Sequence, residues 1–416
     1  SNPQLADLLI NIVSVSPMLA AHLSRNAAVL DAVIGGDFFS DWPGQEVLFD
    51  ALAARLGTLD DYELQLDGTR AWAREWHFRI GVHHLRGLTD GAQAAEQYSD
   101  LARAVLRALW PVVITEFSRR HGPPPGNGAV IVGMGSLGAG RLTAQSDLDL
   151  IMIYDADGVE ASEGKRPLPA RQYYARLIQA MITAMSASMA QGRLYELDLR
   201  LRPSGNKGPV ATSIDSFTTY QREEAWVWEH LALTRAEVIA GPKVLGQLVE
   251  AVRVEIVVRA CEIAHICQQT AEMRARIAAA KSPDGVLDAK IGAGRLQDIE
   301  LFAQAGALLG GALARDIPAG LAAARQAGLI DGAGEAVLIR AYEPLWALQS
   351  ATRLLSSRAL KLDTLRVASR QFLIHSVGVA PENDKGHALE TQLIQTYADA
   401  DAIITAALAA HVKDEI

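Results

Sequence analysis

The chain has 416 residues, half of them hydrophobic, with 39 Lys and Arg against 48 Asp and Glu for a formal charge of −9. That length and apolar content provide for two or three domains with a large core and exclude disorder. The acidic balance argues against a long nucleic-acid partner, which needs a net basic surface, though not against ATP, whose charge metal ions and a few local cations can meet.

Residues 4–120 read as helices, because Leu8, Leu9, Ile12 and Val13, and later Leu101, Val105, Leu106 and Leu109, recur at steps of three and four. The breaker run His121–Gly128 marks a domain boundary. Ala129–Val132 is a short apolar strand that ends at a glycine turn, and Asp147–Tyr154 is a second strand. Gly158–Ala170 is a polar loop and Arg171–Ala190 a helix rich in Ala, Met and Ile. Arg193–Arg202 alternates strictly, with Leu194, Glu196, Asp198, Arg200 and Arg202 on one face and Tyr195, Leu197, Leu199 and Leu201 on the other. Pro203–Pro209 ends this strand as a flexible loop. Helices return from Ile214, punctuated at Gly241-Pro242 and Ser282–Gly285, and run beyond Arg295 to the C-terminus with an interruption near Gly378–Gly386. No fixed-period repeat is visible.

The expected plan is α+β and predominantly helical: a small mixed-sheet core at 121–240 between an N-terminal helical region at 1–120 and a C-terminal helical domain at 241–416. Cys261 and Cys267, read as lying on one helix, face different ways, too far apart to bridge, and predict buried thiols in a reducing compartment. No run of roughly 20 uninterrupted apolar residues predicts a membrane span, and no leader opens the chain. Beginning at Ser1-Asn2-Pro3, it reads as a cytoplasmic piece of a longer protein.

The chemistry concentrates in the middle third. Gly133-Met134-Gly135-Ser136-Leu137-Gly138 precedes Ser146-Asp147-Leu148-Asp149-Leu150. Period-two geometry puts Asp147 and Asp149 on one face of a strand and Leu148 and Leu150 on the other. Adjacent carboxylates repel and are costly to desolvate, and a divalent cation relieves both costs. The pattern points to nucleotidyl transfer. The amides of Gly135 and Ser136 would hold a triphosphate, with the Ser136 hydroxyl as a further donor. Asp147 and Asp149 would bind Mg²⁺, and Asp198 is the expected third carboxylate from a neighbouring strand. Ser146, Arg200, Arg202 and Lys207 complete the nucleotide-binding set, since Arg suits oxyanions. The competing readings are an N-cap at Ser146 and salt bridges from the arginines to Glu196 or Asp198. Gly133-x-Gly135-x-x-Gly138 also matches a dinucleotide fingerprint, but Ala139–Asp147 leaves too little chain for a crossover helix. Arg141 is expected to be an exposed loop cation, and Trp226 and Trp228 to pack in the core. Asp298 and Glu300 read as compensating a helix dipole or as a second polar patch facing the site. No His-x-x-x-His pair suggests zinc.

These residues resemble the glutamine synthetase adenylyltransferases of the polymerase-beta-like nucleotidyltransferase superfamily. Carrying the resemblance are the glycine turn, Ser146–Leu150 and Leu194–Gly205. Gly208–Ser213, Ala225–Glu229, Ala232–Ala236 and Asp298-Ile299-Glu300 extend it. The family carries two homologous halves, one attaching AMP from ATP to a tyrosine of glutamine synthetase and one removing it by phosphorolysis. Pro203-Ser204-Gly205, Gly208–Ser213 and Trp226-x-Trp228-Glu229 look like the C-terminal, adenylylating half. The resemblance implies ATP and Mg²⁺ as cofactors, and glutamine synthetase, a PII-type signalling protein and glutamine as partners. Ser136 stands where the family usually has Lys, and Arg295-Leu296 where it has Gly-Gly. The expectations are therefore an adenylylating enzyme, its deadenylylating counterpart, or a silent nucleotide- and partner-binding module. The presence of all three carboxylates speaks against the silent module.

Overall fold

The computed structural model describes residues 3–25, 37–378 and 387–412. The interruption expected near Gly378–Gly386 falls largely outside them. Among the described residues, five α-helices precede the sheet: α1 (Pro3–Val15), α2 (Pro17–Arg25), α3 (Gln45–Gly57), α4 (Tyr62–Leu85) and α5 (Gly91–His121). Asp61 caps α4 by accepting from the Leu64 amide, and Asp90 with Gln93 forms a capping box on α5. Then come β1 (Gly128–Gly133), α6 (Gly135–Gly138), β2 (Leu148–Asp155), α7 (Ala170–Ser186), β3 (Leu197–Asp198), β4 (Ala211–Ser213), α8 (Ile214–Glu223), α9 (Val227–Leu233) and β5 (Glu237–Ala240). Seven α-helices follow among the described residues: α10 (Lys243–Val257), α11 (Ile263–Ala280), α12 (Leu296–Gly310), α13 (Ile317–Gln326), α14 (Gly332–Leu355), α15 (Val367–Ser376) and α16 (His387–Ala409). The predominantly helical α+β class is as expected.

The sheet order is β3-β2-β1-β5, with β4 also on β2. β1 runs antiparallel to both β2 and β5, while β3 and β4 run parallel to β2. β3 therefore pairs with the start of β2 and β4 with its end, both along one edge. The antiparallel β1–β2 pair rules out the dinucleotide reading of the glycines, which requires parallel strands joined by a crossover.

Both faces of the sheet are covered. Ala129 and Ile131 of β1 and Leu148, Leu150 and Met152 of β2 join a core built from α3, α4, α5 and α7. Val130, Val132, Ile151 and Ile153 pack against Phe217 of α8 and Leu245, Val249 and Val252 of α10. A separate core unites the C-terminal helices with Ile12, Leu19, Phe78 and Val82. The N-terminal helices thus pack on the sheet and on the C-terminal bundle alike.

Five local expectations need correction. Arg193–Arg202 is not a ten-residue strand: only Leu197 and Asp198 pair with β2. Before them, the Leu194 amide donates to the Met185 carbonyl of α7; after them, the Arg200 amide donates to Asp198 and the Arg202 amide to Leu199, turning the chain. The helix expected to reach Ala190 ends at Ser186, and β5 lies where helices were expected; β4, between the expected loop and Ile214, was not anticipated, and both strands are too short to show a period. Cys261 lies ahead of α11 and is exposed, and only Cys267 is buried. Trp226 is 62% exposed rather than packed in the core.

Arg70 fastens α4 to this frame. Fully buried, it donates to the Ala184, Ala187 and Gly192 carbonyls at 2.6, 3.0 and 2.8 Å, closing the end of α7 just ahead of β3. Arg70→Met removes this donor from the Ala184 and Ala187 carbonyls, while Gly192 keeps the Met189 amide, and should destabilise the protein by about 2–4 kcal/mol. A lower urea midpoint at unchanged slope is the expected result, and an unchanged midpoint contradicts this role.

Candidate active site

The site forms where β1 ends and β2 and β3 begin. On β2 the residues alternate, so Asp149 shares a face with Ile151 and Ile153 while Leu148 and Leu150 are buried on the other. Asp147 precedes the strand and is exposed. Parallel pairing of β2 with β3 sets Asp149 in register with Asp198, so residues nearly fifty positions apart in sequence become neighbours.

The glycine turn is shaped around Asp149. Gly135 has φ +53°, and a Cβ there would lie 2.7 Å from Asp149 Oδ2. A Cβ on Gly138 would lie 2.0 Å from the Arg235 carbonyl oxygen. The spacing that mimics a dinucleotide fingerprint thus serves two close approaches. The Met134 amide donates to the Asp149 carbonyl at 2.8 Å. From α5, Arg103 holds the Leu137 and Gly138 carbonyls at 2.9 and 3.3 Å and pairs with Glu237 of β5. Ser136 sits half-buried on the turn.

The remaining expected residues divide. The Ser146 hydroxyl accepts from the Thr143 amide at 2.9 Å and bonds the Thr143 hydroxyl at 3.0 Å, building the turn into β2 rather than capping a helix. Arg200 donates to Asp198 through its backbone amide at 2.8 Å and through Nε at 2.6 Å. Arg202 donates to the Leu199 and Gly208 carbonyls at 2.8 and 3.2 Å, holding the loop that carries Lys207, which is exposed. Glu229 of the Trp-rich segment organises the same loop: it accepts from Tyr220 Oη, and the Ser204 amide donates to both groups. Arg141, expected as an exposed loop cation, instead lies over the Tyr342 and Trp346 rings at 5.4 and 5.9 Å, 3.5 Å from Glu343.

Arg235 was given no role in the sequence reading, and Asp298 and Glu300, read there as a helix-dipole pair or a second polar patch, take separate partners. Arg235 is buried beneath the glycine turn and pairs with Glu300 at 2.9 Å. Burial alone would lower its pKa, but Glu300, Tyr342 and Asp149 keep it above the ordinary value. Its Nε and one terminal nitrogen meet no acceptor among the described residues. Asp298 accepts two bonds from Arg274 at 2.6 and 2.8 Å and one from the Gly294 amide at 2.7 Å, so it anchors α12 to α11. The match of Ala232–Ala236 and of Asp298–Glu300 to one motif set was the available signal for Arg235 with Glu300.

The carboxylates differ electrostatically. Burial, then the Asp147 and Asp198 charges, push Asp149 up to about 6, against a smaller pull from Lys290 and Arg200. Burial also acts to raise Asp198, but the Arg200 bonds hold its carboxyl below the usual carboxylate range. Among the described residues no three His, Cys, Asp or Glu side chains close on one point. The oxygen donors of Asp147 and Asp149 nevertheless suit Mg²⁺, which is commonly held by one or two carboxylates together with substrate phosphates. The raised Asp149 marks a charge in need of such a counter-ion.

Comparison with known proteins finds related sequences over most of the chain. The sequence model of the glutamate-ammonia ligase adenylyltransferase family matches residues 6–252. A bifunctional glutamine synthetase adenylyltransferase/adenylyl-removing enzyme of Brucella suis is 42% identical over 311 residues, covering 74% of this chain and 32% of the relative. Enzymes of the same description from Mesorhizobium japonicum and Rhizobium meliloti are each 43% identical, over 74% and 73% of this chain and 32% and 31% of the relatives. The chain thus spans about a third of the length of the curated relatives it matches.

Since Asp149 titrates near 6 in the fold and near 3.8 when unfolded, its ionised form opposes folding above pH 6, and that penalty vanishes below about pH 4. Without divalent metal, Asp149→Asn should therefore raise the melting temperature at pH 7.5, by an amount reflecting about 3 kcal/mol, and the gap should close as the pH falls towards 4. Thermal melts in a chelator measure it, and a lower melting temperature for the variant at pH 7.5 contradicts the electrostatic account.

Proposed function

The chain belongs to the glutamate-ammonia ligase adenylyltransferase family, and from that premise we propose that it transfers AMP from ATP to a tyrosine hydroxyl of glutamine synthetase, releasing pyrophosphate. The observation that carries this reading is the pairing of Asp149 with Asp198 beside a glycine turn. The oxygen of the acceptor phenol attacks the α-phosphorus, the bond to the β-phosphate oxygen breaks, and the phenolic proton passes to a base.

Asp147 and Asp149 hold Mg²⁺ on this reading, with Asp198 nearest the nucleophile; the ions supply charge neutralisation at the transferring phosphoryl group. Gly135 amide and the Ser136 amide and hydroxyl donate to the β- and γ-phosphates. Ser146 shapes the approach to Asp147, and Lys207 and Arg202 lie on the loop that borders the nucleotide. A phenol with a free pKa of about 10 needs help to ionise at neutral pH. Asp198, held below the ordinary range by Arg200, is a weak base in that contact. Arg200 is exposed, and on this reading it leaves Asp198 for the phosphates when nucleotide binds, freeing the carboxylate to take the proton. Regulation on this reading comes from a PII-type signalling protein and glutamine, in the cytoplasm. No helix among the described residues is long and apolar enough to cross a membrane.

The relatives' description names both adenylylation and adenylyl removal, which supports a second reading in which this site runs phosphorolysis. Supplying AMP-modified glutamine synthetase with phosphate and assaying for ADP separates the two. For the first reading, Asp147→Asn should lower transfer of label from [α-³²P]ATP to glutamine synthetase by on the order of a hundredfold or more, through loss of charge stabilisation. Undiminished transfer contradicts it.

A further inference from the structure

Four arginines around the core site are already engaged, and Lys207 stands exposed on its loop. Arg200 is on Asp198, Arg202 is on loop carbonyls, Arg235 is enclosed with Glu300, and Arg141 lies against aromatic rings. The glycine turn itself offers only the neutral Ser136. A triphosphate arriving beside three carboxylates needs compensating positive charge.

Two cations reach the cleft from the C-terminal region, Arg353, which donates to the Ser357 carbonyl at 3.1 Å, and Lys290. In the segment joining α11 to α12, Leu287 and Ala289 are buried at 3% and 0% exposure in the C-terminal core, while Lys290 is exposed. Its backbone is pinned on both sides: the Lys290 amide donates to Asp288 Oδ1 at 3.0 Å, and the Gln297 amide donates to the Lys290 carbonyl at 3.1 Å. Asp288 Oδ1 also accepts from the Ile291 amide at 3.1 Å, and Arg295 donates to the Gly285 carbonyl at 2.9 Å, so the segment is a built turn. Lys290 lines a cleft of ≈ 450 Å³ together with Ser146, Asp147, Glu196, Gln349 and Arg353. It forms no ion pair among the described residues, and its charge acts on Asp149 more strongly than that of Arg200.

We propose that Lys290 is a polyphosphate-binding residue of the nucleotide site, contributed across the cleft by the C-terminal helical region to contact the non-transferred phosphates. The proposal rests on the nucleotidyl-transfer reading above. A lysine suits the task because its ammonium is a compact charge with three rotatable donors on a flexible stem. It follows that the sheet core alone holds an incomplete nucleotide site, and that packing of the α11–α12 segment completes it.

Calorimetry of the full chain with Mg²⁺ and a non-hydrolysable ATP analogue, and separately with AMP, tests this in wild type, Lys290→Met and Lys290→Arg. Loss of one charge-assisted contact should weaken binding of the analogue by roughly tenfold to a hundredfold in Lys290→Met. AMP affinity should stay unchanged, and Lys290→Arg should recover part of the loss. Lys290 is exposed, so melting temperatures matching wild type are expected and serve as the folding control. Equal binding of the analogue by wild type and Lys290→Met overturns the proposal while leaving nucleotidyl transfer intact, as does an equal loss for the analogue and AMP. Failure of wild type to bind the analogue at all removes the nucleotidyl-transfer reading itself.

Discussion

Mutual repulsion among carboxylates gathered at one end of the sheet is the constraint on which the site depends. Asp147 and Asp149 arrive together because they lie two residues apart at the start of β2, and Asp198 arrives because β3 pairs there in parallel. Burial and the two neighbouring charges push Asp149 up to about 6. A fold selected for stability alone would not keep that arrangement, since an apolar or amide side chain at 149 relieves it. Its persistence argues for a positively charged visitor.

The surrounding structure holds this unfavourable arrangement in place. Buried side chains on both faces of β2 fix its register, because a slip of one residue would drive Asp149 into the α3–α5 core. Gly135 admits the Asp149 carboxylate, and Gly138 admits the backbone at Arg235. Arg103 and Arg70 brace the turn and the approach to β3 from the N-terminal helices. Arg141 and Arg235 tie the core to α14 and α12. The helices on either side of the sheet are therefore supports of the site as well as its cover.

What was legible in the sequence follows from how local the signal is. β1 and β2 were readable because strands covered on both faces show as continuous apolar runs, against which the two aspartates stand out. The ten-residue alternation around Asp198 was misleading: its polar face reflects an aspartate bonding to the Arg200 amide, which turns the chain after a two-residue strand. β4 and β5 were invisible because three or four residues carry no period. The glycine spacing supported two folds until strand direction chose between them. Arg235 with Glu300, and Lys290, belong to the site only through tertiary packing. The Arg200–Asp198 pair was among the readings the sequence offered, whereas the carbonyl partners of Arg202 depended on loop conformation, which spacing does not encode.

The family relation and the carboxylate geometry converge on one physical claim: the trio is built to receive a nucleotide with its divalent metal. A crystal structure of the full chain with Mn²⁺ and a non-hydrolysable ATP analogue addresses that claim directly through the anomalous signal of the metal. The account predicts a Mn²⁺ peak bridging Asp147, Asp149 and the phosphates, with Arg200 displaced from Asp198. Nucleotide bound with no metal at Asp147 and Asp149, or Mn²⁺ bound only elsewhere, would contradict it.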